Sequence, residues 1–249
     1  MTNQSTLSIE KGYPARVPVP DPLTSWGREY PGYLPNVFPD APRTLDLLER
    51  KGLVIRTYKE LGILGELSNR QAVDTYGDAV LNVRNPLGRT GINGTGIYYK
   101  AGKSTTADIA IMRATNEPQI ILVYNRGKWS LPGGFKEPGD TDGLSIALRE
   151  GQEETGLPLE DLDIRTLIKS HTKGNSRRST DLAYLSNTVA TVTLPDPTLG
   201  EQLLAGEDAE DAKWFTATAL AELVTQKQIS VDHTSYAQQA FSNFVRVQA

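Results

Sequence analysis

No cysteine occurs among the 249 residues. This excludes a disulfide framework, a thiolate zinc site and a cysteine nucleophile, and it suits a reducing compartment. With only two histidines, His171 and His233, a histidine-rich metal site is excluded too. No apolar run approaches the roughly 18 residues of a membrane span. The opening MTNQSTLSIEKGY has neither a basic start before an apolar stretch nor an Arg-rich amphipathic pattern, so the expected location is the cytoplasm, with no membrane partner. A long basic stripe is also lacking, and with a pI near 5.4 no nucleic-acid partner is expected. What is present is an ordinary globular composition, 38% hydrophobic and 22% charged, long enough for one large domain or two small ones.

The formal charge of -4 is unevenly spread. Residues 137–163 hold nine Asp/Glu against one Arg, whereas residues 169–178 hold Lys169, Lys173, Arg177 and Arg178 with no acid. Eight of the fifteen prolines fall between Pro14 and Pro42, where fixed φ and missing N–H groups predict an extended arm. Trp26, Tyr30, Tyr33 and Phe38 give that arm apolar surface to bury. Thr44 can cap a short helix through Leu45, Leu47 and Leu48 that stops at Gly52, and LVIRTY after it reads as a strand. Further strands are expected in ADIAIMR, PQIILVYNRGKWSLP, DIRTLIKSH, TDLAYLSNTVATVTL and AKWF. Two amphipathic helices follow, TATALAELVTQ and TSYAQQAFSNFVRV, the latter with Tyr236, Ala240, Phe241 and Phe244 at helical spacing. Strands before, between and after helices predict an α/β (α+β) fold, such as a mixed α/β/α sandwich.

Two Gly-rich stretches need separate treatment. GKST, residues 102–105, resembles the end of a phosphate-binding P-loop, but Ile97 stands where the motif needs glycine, and IYYKA is too bulky for a loop of phosphate-cradling amides. GINGTG, residues 91–96, reverses the glycine order of a dinucleotide fingerprint and reads as a tight turn. Arg89 beside it keeps a substrate contact open.

The acidic segment differs. LPGGFKEPGDTDGLSIALREGQEETGL, residues 131–157, is a Gly-Gly turn, an acidic loop and a helix ending at Gly156. At about 100° per residue, Glu150, Glu153 and Glu154 share one face, while Leu144, Ala147, Leu148, Gly151 and Thr155 form another; Ile146 falls near the carboxylates. Like charges one turn apart destabilise a helix, and the single Arg149 cannot neutralise three of them. A hard divalent cation fits this need, since Mg²⁺ prefers oxygen ligands shared between carboxylates and phosphates.

This segment resembles the Nudix box, the loop-helix signature of hydrolases that cleave nucleoside diphosphates linked to another moiety. Gly134 opens it; Asp140 stands where the family usually has Glu; eight residues instead of seven precede Arg149; and Gly151 occupies an apolar place, while REGQEETG keeps the ligand spacing. The resemblance implies a Nudix α/β/α sandwich with a mixed sheet, Glu150, Glu153 and Glu154 as ligands of Mg²⁺ (Mn²⁺ as the alternative), and Arg149 as a structural partner of one carboxylate. NPLGRTGINGTG, ADIAIMR, WSLPGGF, RRSTDLAY, AGEDAEDAKW and ISVDH then occur in the order of one subfamily. It is the ADP-ribose pyrophosphatase subfamily, related to the mitochondrial enzyme and to the enzyme-like domain of an ADP-ribose-gated cation channel. That likeness implies an N-terminal lobe, residues 1–104 with the Pro-rich arm, a Nudix domain, residues 105–249, and a ligand cleft between them. Substrate contacts are expected at Arg89, Gly133, Gly134, Arg178, Asp181, Asp232 and His233. Ser230 departs from the Tyr of relatives.

The implied reaction is Mg²⁺-dependent hydrolysis of ADP-ribose to AMP and ribose 5-phosphate, with Glu153, Glu207 or Asp208 as proton acceptor and His233 as an alternative. Two other readings are a Nudix hydrolase of NADH or a nucleotide sugar, and a sensor that binds ADP-ribose without cleaving it. The intact REGQEE weighs against the sensor. The expected partner is the small-molecule substrate, and the expected state a monomer, with an oligomer as the alternative.

Overall fold

The computed structural model describes residues 13–38, 72–73, 79–80, 85–94, 96, 102–159, 167–173, 178–201, 203, 205–206 and 209–248. The expected helix from Thr44 and the LVIRTY strand lie outside these residues. The chain divides into two compact units, Met1–Thr105 with Thr172–Ser186, and Thr106–His171 with Asn187–Ala249. Residues 172–186 therefore group with the first unit.

In the first unit the described part of the Pro-rich arm, residues 13–38, has no regular structure over residues 13–20, as its prolines dictate, and then turns repeatedly, through a 3-10 turn at Asp21–Leu23 and through turns closed by Arg28 N–H on the Ser25 carbonyl at 3.1 Å and Tyr33 N–H on the Tyr30 carbonyl at 3.0 Å. Strand β1 (Asn36–Val37) pairs in parallel with β4 (Ile92–Asn93), and β2 (Ala72–Val73) pairs antiparallel with β3 (Ala79–Val80). Val17 N–H donates to the Gly91 carbonyl at 3.0 Å and Phe38 N–H to the Asn93 carbonyl at 2.9 Å. The GINGTG stretch is thus packed along the arm. Gly91 has φ 82°, and a Cβ there would lie 2.1 Å from the Val17 carbonyl oxygen, so only glycine lets the two backbones pass this closely.

The second unit holds the strands β6 (Gln119–Asn125), β7 (Lys128–Ser130), β8 (Gly133–Phe135) and β11 (Asp211–Thr216). Strands β5 (Gly102–Arg113), β9 (Leu167–Lys173) and β10 (Ala183–Thr193) carry residues of both units. The sheet order is β11-β6-β5-β10-β9, with β7 on β6 and β8 on β5. The registered pairs β11 with β6, β5 with β6, β5 with β8 and β6 with β7 are antiparallel, and a parallel bridge joins Trp129 to Ile229. Arg126 (φ 50°) and Gly127 (φ 80°) make the two-residue turn between β6 and β7, the positive-φ pair that matches strand twist. GKST is simply the start of β5.

Period-two alternation along β5 sends Ile109 and Ile111 to one face and Ala110 and Met112 to the other. The first face packs on helix α1 (Gly143–Thr155) through Ile146 and Ala147. The second packs on α2 (Ala217–Thr225) through Leu220 and Leu223, and on α3 (Val231–Gln248) through Ala237, Ala240, Phe241 and Phe244. Each buried Phe contributes about 1.5–3 kcal/mol of apolar burial. The result is the expected α/β/α sandwich. Among the described residues no helix is long and apolar enough to cross a membrane.

Candidate functional site

Helix α1 starts at a capping box: the Asp142 carboxylate accepts from Leu144 N and Ser145 N, both at 2.9 Å, and Ser145 Oγ accepts from Asp142 N at 3.1 Å. It ends at Gly156, φ 71°, one residue after Thr155. Midway, a Cβ on Gly151 would lie 2.6 Å from Leu159 Cδ1 and 2.9 Å from Ile109 Cγ2. The helix approaches the sheet so closely there that the usual apolar side chain has no room, which accounts for the departure at this place.

That approach tucks two of the three glutamates under β8. Glu154 is buried, 8% exposed, and its Oε2 accepts the Gly133 N–H at 2.9 Å. Glu150 lies against Gly134, where a Cβ would come within 2.3 Å of its Oε1. Glu153 has a side chain 55% exposed. The carboxylates therefore run from buried to exposed and do not form one open face. Ile146, expected beside them, is fully buried in the core, while Leu144 and Leu148 are only partly buried.

Arg149 joins the group together. Its Nε and Nη2 reach Asp140 Oδ1 and Oδ2 at 3.2 and 3.1 Å, a forked pair that closes the lengthened loop. Its Nη1 reaches Glu150 Oε1 at 3.0 Å and Glu153 Oε2 at 2.8 Å, and Nη2 also donates to the Phe135 carbonyl at 2.9 Å. It thus serves three carboxylates, where one was expected. Burial alone would lower its pKa, but Asp140, Glu150 and Glu153 together raise it. Asp140 is held below its ordinary value: burial pushes it up, and the Arg149 hydrogen bond, the Glu137 N–H and the Arg149 charge outweigh that. Burial raises Glu150, and Arg149 offsets this only in part.

His233 and Asp232 sit in the first turn of α3. His233 Nδ1 accepts the Leu131 N–H at 3.2 Å, two residues before Gly133, so its ring proton resides on Nε2. The sequence reading missed the neighbouring Asp108. This buried carboxylate accepts from Asn187 Nδ2 at 2.6 Å, and Thr106 Oγ donates to Asn187 Oδ1 at 2.8 Å. Burial raises the Asp108 pKa; the nearby His233 and the Asn187 hydrogen bond pull it down, and Asp232 pushes it up. Its Oδ1 lies where a Cβ on Gly133 would be only 2.4 Å away. One acid inside the apolar ADIAIMR was the available signal.

In the first unit, Arg89 is buried and donates to the carbonyls of Leu23, Ser25 and Arg28 at 2.7, 2.6 and 2.9 Å. Its guanidinium lies 4.9 Å from the Trp26 ring centre and 5.5 Å from that of Tyr33. Asp181 is fully buried and accepts from Tyr33 Oη at 2.9 Å, Thr90 N at 2.7 Å and Thr90 Oγ at 2.9 Å. Burial raises its pKa against those hydrogen bonds and the nearby Arg16. Both residues hold the arm to residues 85–94, a structural task the sequence did not reveal. Arg178 is half-buried. Glu207 and Asp208 lie outside the described residues.

The donor set at α1 is carboxylate oxygen alone, the chemistry a hard divalent cation takes. Among the described residues no three such groups converge to hold a metal ion as they stand, Arg149 bridging Glu150 and Glu153.

The model of the NUDIX domain matches residues 103–234. The Caenorhabditis elegans protein named "Putative nudix hydrolase 6" is 25% identical over 232 residues, 87% of this chain and 89% of its own. Among solved structures, the bifunctional NMN adenylyltransferase/ADP ribose pyrophosphatase of Francisella tularensis, complexed with AMP and a Mn ion, aligns at 24% identity and TM-score 0.44 over 57% of this chain. The chain spans 42% of the length of that protein. The NUDIX domain of Shewanella oneidensis NrtR, complexed with ADP ribose, aligns at 21% identity and TM-score 0.44 over 57% of this chain and 89% of its own.

Proposed function

We propose that this chain, which belongs to the Nudix family, hydrolyses ADP-ribose to AMP and ribose 5-phosphate. The observation that carries the pyrophosphohydrolase reading is the seating of Glu154 and Glu150 against Gly133 and Gly134, with Glu153 one turn along the helix from Glu150. The ADP-ribose assignment is supported by the ordered segments from residues 85–96 through RRSTDLAY to ISVDH.

Glu150, Glu153 and Glu154 would hold Mg²⁺ or Mn²⁺, which when bound would offset pyrophosphate charge and acidify a water. Glu153, the most exposed of the three, takes the proton from the attacking water. Arg149 orients Glu153 and ties the loop to the helix through Asp140. Glu154, fixed on Gly133 N–H, keeps its carboxylate in one position. His233 presents its Nε2–H to a substrate hydroxyl, and Arg178 pairs with a pyrophosphate or ribose oxygen.

A substrate panel tests the assignment. With Mg²⁺ present, kcat/KM for ADP-ribose should exceed that for NADH and a nucleotide sugar, with AMP and ribose 5-phosphate formed in equal amounts. Higher kcat/KM for either competitor would discard ADP-ribose and retain the hydrolase. Binding of ADP-ribose without AMP would leave a sensor.

A further inference from the structure

The Pro-rich arm bears on Arg178 through main-chain carbonyls. Tyr13 Oη donates to the Arg178 carbonyl at 2.8 Å, across 165 positions of sequence. Arg16 Nη2 donates to the Ser179 carbonyl at 2.9 Å, and Arg16 Nη1 to the Thr90 carbonyl at 3.0 Å. Asn85 Nδ2 then takes the Thr180 carbonyl at 3.2 Å, and Asn85 N the Asp181 carbonyl at 2.9 Å. Four successive carbonyls, from Arg178 to Asp181, are thus each held by a donor from a distant segment. The Ser179 hydroxyl is buried with no hydrogen-bond partner, so that residue is anchored by its carbonyl and not by its side chain.

The anchors are themselves fixed. The Tyr13 ring is buried and lies 4.5 Å from the Phe38 ring, and its hydroxyl sits 2.5 Å from where a Cβ on Gly96 would be, so the glycine at 96 makes room for it. Arg16 also stabilises the Asp181 carboxylate, which Thr90 and Tyr33 hold by hydrogen bonds. A long, rotamer-rich side chain such as Arg178 recognises an anion well only when its Cα is preset, because ordering it on binding costs affinity.

We infer that Tyr13 and Arg16 are positioning residues for substrate binding: the arm clamps the backbone beneath Arg178 and so sets the affinity for ADP-ribose. This rests on the reading of Arg178 as a substrate contact. Neither side chain touches the reacting atoms, and the chemical step at α1 does not depend on them.

The test is a KM and kcat measurement with ADP-ribose on the full chain, using Tyr13→Phe, Arg16→Lys, Arg178→Ala and the doubles Tyr13→Phe/Arg178→Ala and Arg16→Lys/Arg178→Ala. Removing one hydrogen bond should raise KM about threefold to tenfold, leave kcat within about twofold, and add nothing once Arg178 is absent. An equal KM increase with and without Arg178, or a fall of kcat in step, marks a merely structural role and overturns the proposal. Unchanged KM in both single variants while Arg178→Ala raises it overturns the proposal alone. Unchanged KM in Arg178→Ala overturns the substrate-contact reading and the proposal together. Should Tyr13→Phe fail to fold, Arg16→Lys, which retains the charge but replaces the two-pronged guanidinium by a single ammonium nitrogen, decides by the same criteria.

Discussion

The Glu154 carboxylate accepts the main-chain N–H of Gly133 at 2.9 Å, joining the last turn of α1 to the first residue of β8. A glutamine there retains an oxygen for that N–H and loses only the charge. Glu154→Gln should therefore keep Tm within about 2 °C and lower kcat at least about 100-fold. Thermal melts paired with AMP formation check this; a large loss of Tm would make the residue structural.

The two adjacent glycines should respond differently to alanine. At Gly133 the added Cβ meets main chain, 2.5 Å from the Ala107 carbonyl oxygen, whereas at Gly134 it meets the far end of the Glu150 side chain. Gly133→Ala should cost about 1–3 kcal/mol of stability. Gly134→Ala should displace the Glu150 carboxylate with a smaller stability loss and show its effect as a higher Mg²⁺ requirement. Denaturant unfolding and a Mg²⁺ titration of the rate distinguish them, and equal stability losses would contradict the geometry.

Arg149→Lys retains the positive charge and loses the fork on Asp140. The loop between β8 and α1 then loses its main closure, and activity should fall about 10–100-fold. Wild-type activity in this variant would show that the Asp140 pair is dispensable.

Asp108 sets a pH dependence of stability. Its folded pKa is raised by burial above the unfolded value. The folded state therefore binds the proton more tightly, and this group's cost to stability appears as pH rises from the unfolded value through the folded one. Asp108→Asn removes that cost and still offers an acceptor to Asn187. Its Tm relative to the native chain should rise between pH 4.5 and pH 8, by about 2 °C or more. A constant difference across that range would contradict the assignment.

Much of this arrangement is legible in the sequence. The strands at ADIAIMR and QIILVYN, the Phe241 and Phe244 spacing of α3 and the REGQEET helix with its Gly156 stop all appear as read, because propensity, period and capping are local properties. Asp108 was hidden because β5 is buried on both faces, which erases the alternation that would separate an inward acid from an outward one. Ile146 does fall one turn before Glu150, as read, yet it is buried, because Glu150 and Glu154 on that side turn partly inward against Gly134 and Gly133. Arg89 read as a ligand contact because nothing local shows that three carbonyls of the arm, far back in the chain, take its guanidinium.

The most direct test of the account is AMP formation from ADP-ribose and Mg²⁺ by the native chain, Glu153→Gln and Glu154→Gln, assayed together with and without a chelator. The native chain should yield AMP and ribose 5-phosphate only while the cation is present. Glu153→Gln should lose about 10²–10⁴-fold in rate, and Glu154→Gln at least about 100-fold, with both variants folded. Native rates in both variants, or no AMP from the native chain, would contradict it.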